Sequence, residues 1–314
     1  MWSKLLFFLF IRRGSEWRPY KMKLQRRDAI AGFVVVIFLL FIVVSALGLL
    51  LVLSTGGMKT SRKSVGIVEI RGQILSPKRT VDMLENYIAD DNIPVIVLRL
   101  TTPGGGVSAT QEIYDTVLKA RSAGKKVFAS MGAVAASGGY YIAAACDTVM
   151  ATSSTITGSI GVIATFPNLT ELYRKIGIDF NVAKSGKYKD TGSTSRKMTE
   201  DDLNHLNELI MDIYDQFVIA VAEKRGLEPD FVRSVADGRV FTGRQAQELG
   251  LIDLLGTYQD AIDLAGVAAG IGKNPPVVKD VRDEFWERII DGFTGLVMRG
   301  LALPAPHFSY ILSY

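Results

Sequence analysis

The sequence predicts an α/β fold with one membrane-spanning helix in front of it. Two observations carry the fold class. From Val65 onward, apolar β-branched runs of strand length alternate with amphipathic runs of helical length. The strand runs are also nearly continuous in hydrophobicity, as expected of a largely parallel sheet buried on both faces. A third observation carries the anchor: residues 29–53, "AIAGFVVVIFLLFIVVSALGLLLVL", are uncharged and long enough to cross a bilayer core as a helix. A cleaved signal peptide is the alternative, but its apolar core is usually about 7–15 residues. At 314 residues the chain exceeds one average domain and accommodates a single large α/β domain with appendages.

Residues 1–28 form a basic segment with eight Lys or Arg against Glu16 and Asp28. Few basic residues follow the apolar run, so the positive-inside bias places the N-terminus in the cytoplasm and the rest outside, in a single-pass protein of the cytoplasmic membrane. Residues 54–64, "STGGMKTSRKS", read as a short polar linker. The folded part then runs "SVGIVEIRG" (strand), "VDMLENYIAD" (helix), "IPVIVLRL" (strand), a glycine turn, "SATQEIYDTVLKARSAG" (helix) and "KKVFASM" (strand). It continues through "DTVMATSSTITGSIGVIA", the helix "NLTELYRKIG", the strand "DFNVAK" and the long helix "TEDDLNHLNELIMDIYDQFVIAVAEKRG", whose first turn is acidic. The domain is drawn over 65–270 and an apolar, aromatic tail over 271–314, with Pro304 and Pro306 ending any helix begun near Asp283.

Composition excludes several functions. The formal charge of +4 resides in the N-terminal segment and leaves the remainder slightly acidic, so no nucleic-acid surface is implied. Cys146 is the only cysteine, which rules out an intrachain disulfide and a thiolate-rich zinc site. No clustered His, Cys and carboxylate set suggests a catalytic metal, and no cofactor is called for.

Ser137, in "GAVAASGGYYIAAACD", sits among small residues just before an apolar helical run. A serine hydroxyl is a weak nucleophile and needs an adjacent base; otherwise Ser137 is a helix N-cap. His205 and His307 are the only histidines, one in a long helix and one in the tail, and neither suits a Ser-His-Asp triad. A desolvated lysine can serve instead, and "KSGKYKDTGSTSR", 184–196, offers three. Backbone amides for an oxyanion fit "TTPGGGVSAT", 101–110, although glycine triplets also occur in ordinary strand-to-helix turns.

The ordered set "TPGGG", "ASGGYYIA", "TGSIGVI" and "KSGKYKD" resembles the signal peptide peptidase A family, also called protease IV, from about Val65 to Gly266. The resemblance implies a Ser-Lys dyad serine endopeptidase with Ser137 as nucleophile, Lys189 as general base, and Lys184 and Lys187 as bystanders. It places Ser159 beside the lysine and the backbone amides of Gly104, Gly105 and Gly138 around the oxyanion. It implies a Clp protease/crotonase-like fold of repeated strand-strand-helix units, with "DGRVFTGRQAQELGLIDLLGTYQDAIDLA" as the closing helical element. It implies a homo-oligomeric ring whose groove is partly built by a neighbour, and apolar peptides such as residual signal peptides as substrates at the membrane. Asp190 is read as structural, because a carboxylate beside a lysine favours the charged amine.

Two other functions compete. A crotonase-like acyl-thioester enzyme would leave the serine and lysine idle, and an external domain would not meet coenzyme A. A non-catalytic oligomeric scaffold would use the glycines for packing alone. The tail admits a packing or oligomer-contact role, an amphipathic helix on the membrane face, or a reach into an active-site groove as a self-substrate through "LALPAPHF".

Overall fold

The structure, a computed structural model, describes residues 8–13, 16–21, 35–46, 62–279 and 308–311. The chain divides into two compact units, Met1–Lys59 and Thr60–Tyr314. In the first, β1 (Phe8–Arg13) and β2 (Glu16–Lys21) pair antiparallel as a hairpin that sequence patterning did not anticipate. Residues 35–46 form helix α1, with its apolar side chains from Val35 to Val44 exposed. Among the described residues no helix is long and apolar enough to cross a membrane. Both ends of the 29–53 run, most of the 54–64 linker and residues 280–307 lie outside the described residues.

The second unit opens with β3 (Val65–Arg71), α2 (Lys78–Ala89), β4 (Val95–Thr102), β5 (Gly104–Gly106) and α3 (Val107–Ser122). Next come β6 (Lys126–Ala136), α4 (Gly138–Ala144), β7 (Thr148–Ala151), β8 (Ile156–Gly158), β9 (Ile163–Ala164) and α5 (Thr170–Lys175). The chain closes with α6 (Glu200–Arg225), α7 (Pro229–Val235), β10 (Val240–Thr242), α8 (Gly243–Glu248), β11 (Leu254–Leu255), α9 (Tyr258–Ala268), β12 (Val277–Lys279) and β13 (Phe308–Ile311). The expected α/β class is therefore observed. The segment expected to close the fold with helices also supplies β10 and β11, and β12 adds an edge strand from the stretch assigned to the tail.

The main sheet runs β10-β8-β6-β4-β3-β12, with β7 beside β6 and β11 beside β7. Only the β10–β8 pair is antiparallel. Alternation along β3 and β4 splits their side chains between two cores. Val68, Ile70, Ile96, Leu98 and Leu100 join the helices α2, α3, α4 and α6, whereas Val65, Ile67, Val95 and Val97 pack with Phe128 against Ile262 and Ala265 of α9. That two-sided burial is the physical reason the strand runs lack polar alternation.

Strand β6 positions the site. Its first half pairs β7 and its second half pairs β8, and its register against β4 slips between Leu100 and Thr102. Gly132 lies at the slip, where a Cβ would meet Thr101 Oγ1 at 2.4 Å. Buried threonines hold the turned half: Thr155 Oγ1 donates to the Gly132 carbonyl at 2.8 Å and Thr157 Oγ1 to the Ala135 carbonyl at 2.7 Å. The strand thus delivers its last residue, Ala136, to the start of α4.

The helix expected over "NLTELYRKIG" is α5, but the stretch after it departs from expectation. "DFNVAK" forms no strand, because this stretch meets no sheet edge to supply backbone partners. Phe180 and Val182 are half exposed, as are Leu172 and Ile176. The segment ends where Thr199 caps α6: Thr199 Oγ1 accepts from the Asp202 amide at 3.1 Å, and Asp202 Oδ2 accepts from the Thr199 amide at 3.0 Å.

Helix α4 is tied to the C-terminal half by Tyr140, fully buried, whose hydroxyl donates to the Leu251 carbonyl at 2.9 Å. Tyr140→Phe leaves that carbonyl without its donor and is expected to lower stability by about 1–2 kcal/mol in urea unfolding.

Candidate active site

Ser137 follows β6 and precedes α4 with φ 53° and ψ −118°. A non-glycine residue at positive φ costs about 1–3 kcal/mol and persists only where its surroundings impose it. Here the imposition is visible: the Ser137 amide donates to the Gly158 carbonyl at 2.8 Å, and its own carbonyl accepts from the Tyr141 amide at 2.9 Å. The side chain is 1% exposed, and Oγ has no hydrogen-bond partner among the described residues. The N-cap alternative fails on the same geometry, since Oγ makes no capping bond to α4.

Ser159 comes next to it in space, because the Ala136↔Gly158 pairing brings the ends of β6 and β8 together. It too has positive φ, 51°, and is buried. Its amide donates to the Arg239 carbonyl at 2.8 Å. Among the described residues, only one other non-glycine, Asn274, has positive φ. Both candidate serines are therefore held in costly conformations side by side.

The glycine loop supplies the facing edge. Gly104 has φ 109°, open in practice only to glycine. Its amide donates to Thr102 Oγ1 at 3.1 Å. The Gly104 carbonyl accepts from the Ile74 amide at 2.9 Å, and the Gly106 amide donates to the Ile74 carbonyl at 2.8 Å. Strand alternation therefore turns the peptide groups of Gly105 to the opposite edge. On that edge lies β13, antiparallel to β5 with Tyr310 opposite Gly105, and antiparallel on its other side to β9 with Ser309 opposite Ile163. It also contacts α4, the helix begun by Gly138. The slot between Gly104–Gly106 and Ile163–Ala164 thus has the width of one extended peptide strand, and residues 308–311 of this chain lie in it.

Lys189 is exposed on the 165–199 segment and is not bonded to Ser137 Oγ within the chain. The structure separates the three lysines of "KSGKYKD". Lys184 pairs with Asp190 at 2.8 Å and Lys187 with Asp201 at 2.6 Å, whereas Lys189 has no ion-pair partner among the described residues. Of the two histidines, His205 stacks on Tyr188 with ring centroids 4.6 Å apart, and His307 lies outside the described residues. No group of three or more His, Cys, Asp or Glu able to hold a metal occurs among the described residues.

Sequence reasoning singled out the two serines and the glycine loop, which the structure brings to one region. It did not single out the β9 edge of the slot, a two-residue strand with no pattern of its own.

A site of this kind, with a strained serine beside a strand-binding slot edged by glycine amides, is that of a serine-type protease. Residues 119–272 match the family described as Peptidase family S49. The chain is 44% identical over 227 residues to a protein of Synechocystis provisionally named a protease, covering 72% of this chain and 82% of that one. It is 38% identical over 180 residues to a protein of Enterococcus faecium provisionally named signal peptide peptidase SppA, covering 57% and 52%. It is 31% identical over 241 residues to protease 4 of Salmonella typhi, covering 72% of this chain and 38% of that protein. The chain belongs to peptidase family S49, the signal peptide peptidase A family.

At Gly105 a Cβ would meet the Ile74 carbonyl oxygen at 2.1 Å, whereas at Gly106 it would meet the same atom at 3.8 Å. Gly105→Ala is expected to cost about 1–3 kcal/mol by forcing the backbone bridge apart and to lower peptide cleavage more than tenfold. Gly106→Ala should keep near wild-type stability. Thermal unfolding and a peptide-cleavage assay check both.

Proposed function

We propose that this protein is a membrane-anchored serine endopeptidase in which Ser137 and Lys189 form the dyad, with signal-peptide remnants as its substrates. The observation that carries this reading is Ser137 itself: a buried hydroxyl with no internal partner, strained into place at the edge of a strand-shaped slot. A packing serine has no need of that conformation, which weighs against the scaffold. A thioester enzyme has no need of the slot.

In the reaction, the substrate lies as an extended strand between β5 and β9, in the place β13 occupies. Neutral Lys189 Nζ takes the Ser137 Oγ proton as Oγ bonds to the scissile carbonyl carbon. Negative charge on the carbonyl oxygen is met by backbone amides. Gly105 and Gly138 suit this role better than Gly104, whose amide Thr102 already engages. Collapse breaks the C–N bond, and the leaving amine takes the proton from Lys189. Water then attacks the acyl-serine, gives its proton through Lys189 to Ser137, and frees the acid.

The lysine comes from a second copy of the chain in an oligomeric ring. Its segment exposes Leu172, Ile176, Phe180 and Val182, an apolar face that needs another surface to cover it. Beside Ser159 is a cavity of about 390 Å³, lined also by Val162, Ile163, Met211 and Tyr214. It opens onto Ser159 from outside the protomer, and its apolar wall suits apolar peptide side chains. The apolar run 29–53 is the anchor, and tethering there raises the local concentration of membrane-held fragments.

Ser137→Ala and Lys189→Ala are each expected to abolish cleavage of a synthetic signal peptide while remaining folded. Mixing the two inactive chains and reassembling them should restore roughly a quarter of wild-type activity, the fraction of head-to-tail contacts that join an intact serine to an intact lysine. Retained activity in either single variant rules out the dyad, and no recovery on mixing rules out the second-copy lysine. Deleting residues 306–314 should raise the initial cleavage rate several-fold, since β13 leaves the slot; an unchanged rate shows that the tail does not compete with substrate.

A further inference from the structure

Lys189 and Asp190 are adjacent, and a carboxylate beside a lysine favours the ammonium, the form that cannot accept a proton. The charges around this pair are arranged against that outcome. Asp190 Oδ1 accepts from Arg196 Nη2 and from Lys184 Nζ, each at 2.8 Å. Arg196 also spans to α6, donating to Asp202 Oδ2 through Nη1 at 2.6 Å and to Oδ1 through Nη2 at 3.1 Å. Asp202 is 3% exposed and also accepts from Thr191 Oγ1 at 2.6 Å and from Thr199. One guanidinium thus fastens the lysine-bearing turn to the capped end of the long helix.

Two further neighbours have partners of their own. Asp201 pairs with Lys187, and the His205 ring stacks on Tyr188. Asp190, Asp201 and Asp202 each have a cation other than Lys189. Arg196, then Lys184, hold the Asp190 carboxyl well below the usual carboxylate range. Asp202 is held low by Arg196, then by Thr191 and Thr199. A depressed carboxylate pairs fully above its ordinary range, near pH 4, and loses the pairing only as pH falls below it. The arrangement is therefore intact throughout the neutral range.

We propose that Arg196 is a positioning residue for the general base: by holding and neutralising Asp190 against Asp202, it presents Lys189 without a countercharge, so that the neutral amine is accessible when it reaches Ser137. This rests on the dyad reading above. Lys184 is then an auxiliary to Arg196 rather than a bystander.

The test is the pH dependence of kcat/KM for the full-length protein in detergent, with a fluorogenic apolar peptide as probe. Arg196→Gln is expected to move the acid limb upward by about one pH unit, a roughly tenfold loss at a fixed pH on that limb, while activity at the alkaline plateau stays within about twofold. Adding Asp190→Asn to Arg196→Gln should return the midpoint to that of wild type, which a merely structural role for Arg196 would not do. Lys184→Gln, at a more exposed position, should shift the limb in the same direction by less, and serves if Arg196→Gln does not assemble. An unmoved midpoint in folded Arg196→Gln and Lys184→Gln, or a uniform loss across pH that Asp190→Asn does not repair, overturns the proposal. Full activity in Lys189→Ala would instead remove the dyad reading beneath it, so the two failures are distinguishable.

Discussion

The bond from the Ser137 amide to the Gly158 carbonyl joins the end of β6 to the end of β8, and the rest of the site is arranged around it. Because β6 must leave β7 and reach β8, it slips against β4 at Gly132 and is braced by two buried threonine hydroxyls. The chain then has one residue in which to turn from strand into helix. That residue is Ser137, and the cost of its positive φ is offset by the core into which α4 is packed. Tyr141, in α4, lies tilted against Tyr114 and meets Phe217 edge-on, so the helix cannot relax the turn by moving away.

The same junction explains why the slot is where it is. Gly104–Gly106 leaves the adjacent strand β4 and is pinned on one edge by Ile74, which directs the Gly105 peptide to the other. Ile163–Ala164 follows Ser159 after a short turn and supplies the far edge. A strand entering between them finds backbone partners on both sides, which gives affinity without demanding particular side chains. Recognition through the backbone of this kind tolerates many sequences.

Charge has been distributed with similar economy. The segment that carries Lys189 is tied down by paired ions and by the capping of α6, yet its apolar side chains face outward. It is paired at its root and apolar at its surface, the combination on which the proposed docking of a second copy rests. The charged root leaves one lysine, Lys189, out of the pairing among the described residues.

Much of this was legible in the residues themselves. Continuous apolar runs specify strands buried on both faces, Thr199 and Asp202 specify the start of a helix three residues apart, and a glycine triplet after a strand specifies a backbone open to close approach. These are local rules, set by sterics and by burial within a few residues, and a sequence states them directly. "DFNVAK" has the composition of a strand and forms none, because a strand also needs a neighbour, and neighbours are a property of the whole chain. The same is true of the pairing of Arg196 with two aspartates, the alignment of Ser137 with Ser159, and the seating of β13 between two short edges more than fifty residues apart. The sequence by itself determined the chemical inventory and the local elements; the tertiary structure alone decided which groups meet, because hydrogen bonds and ion pairs depend on ångström-scale distances that separation along the chain does not encode.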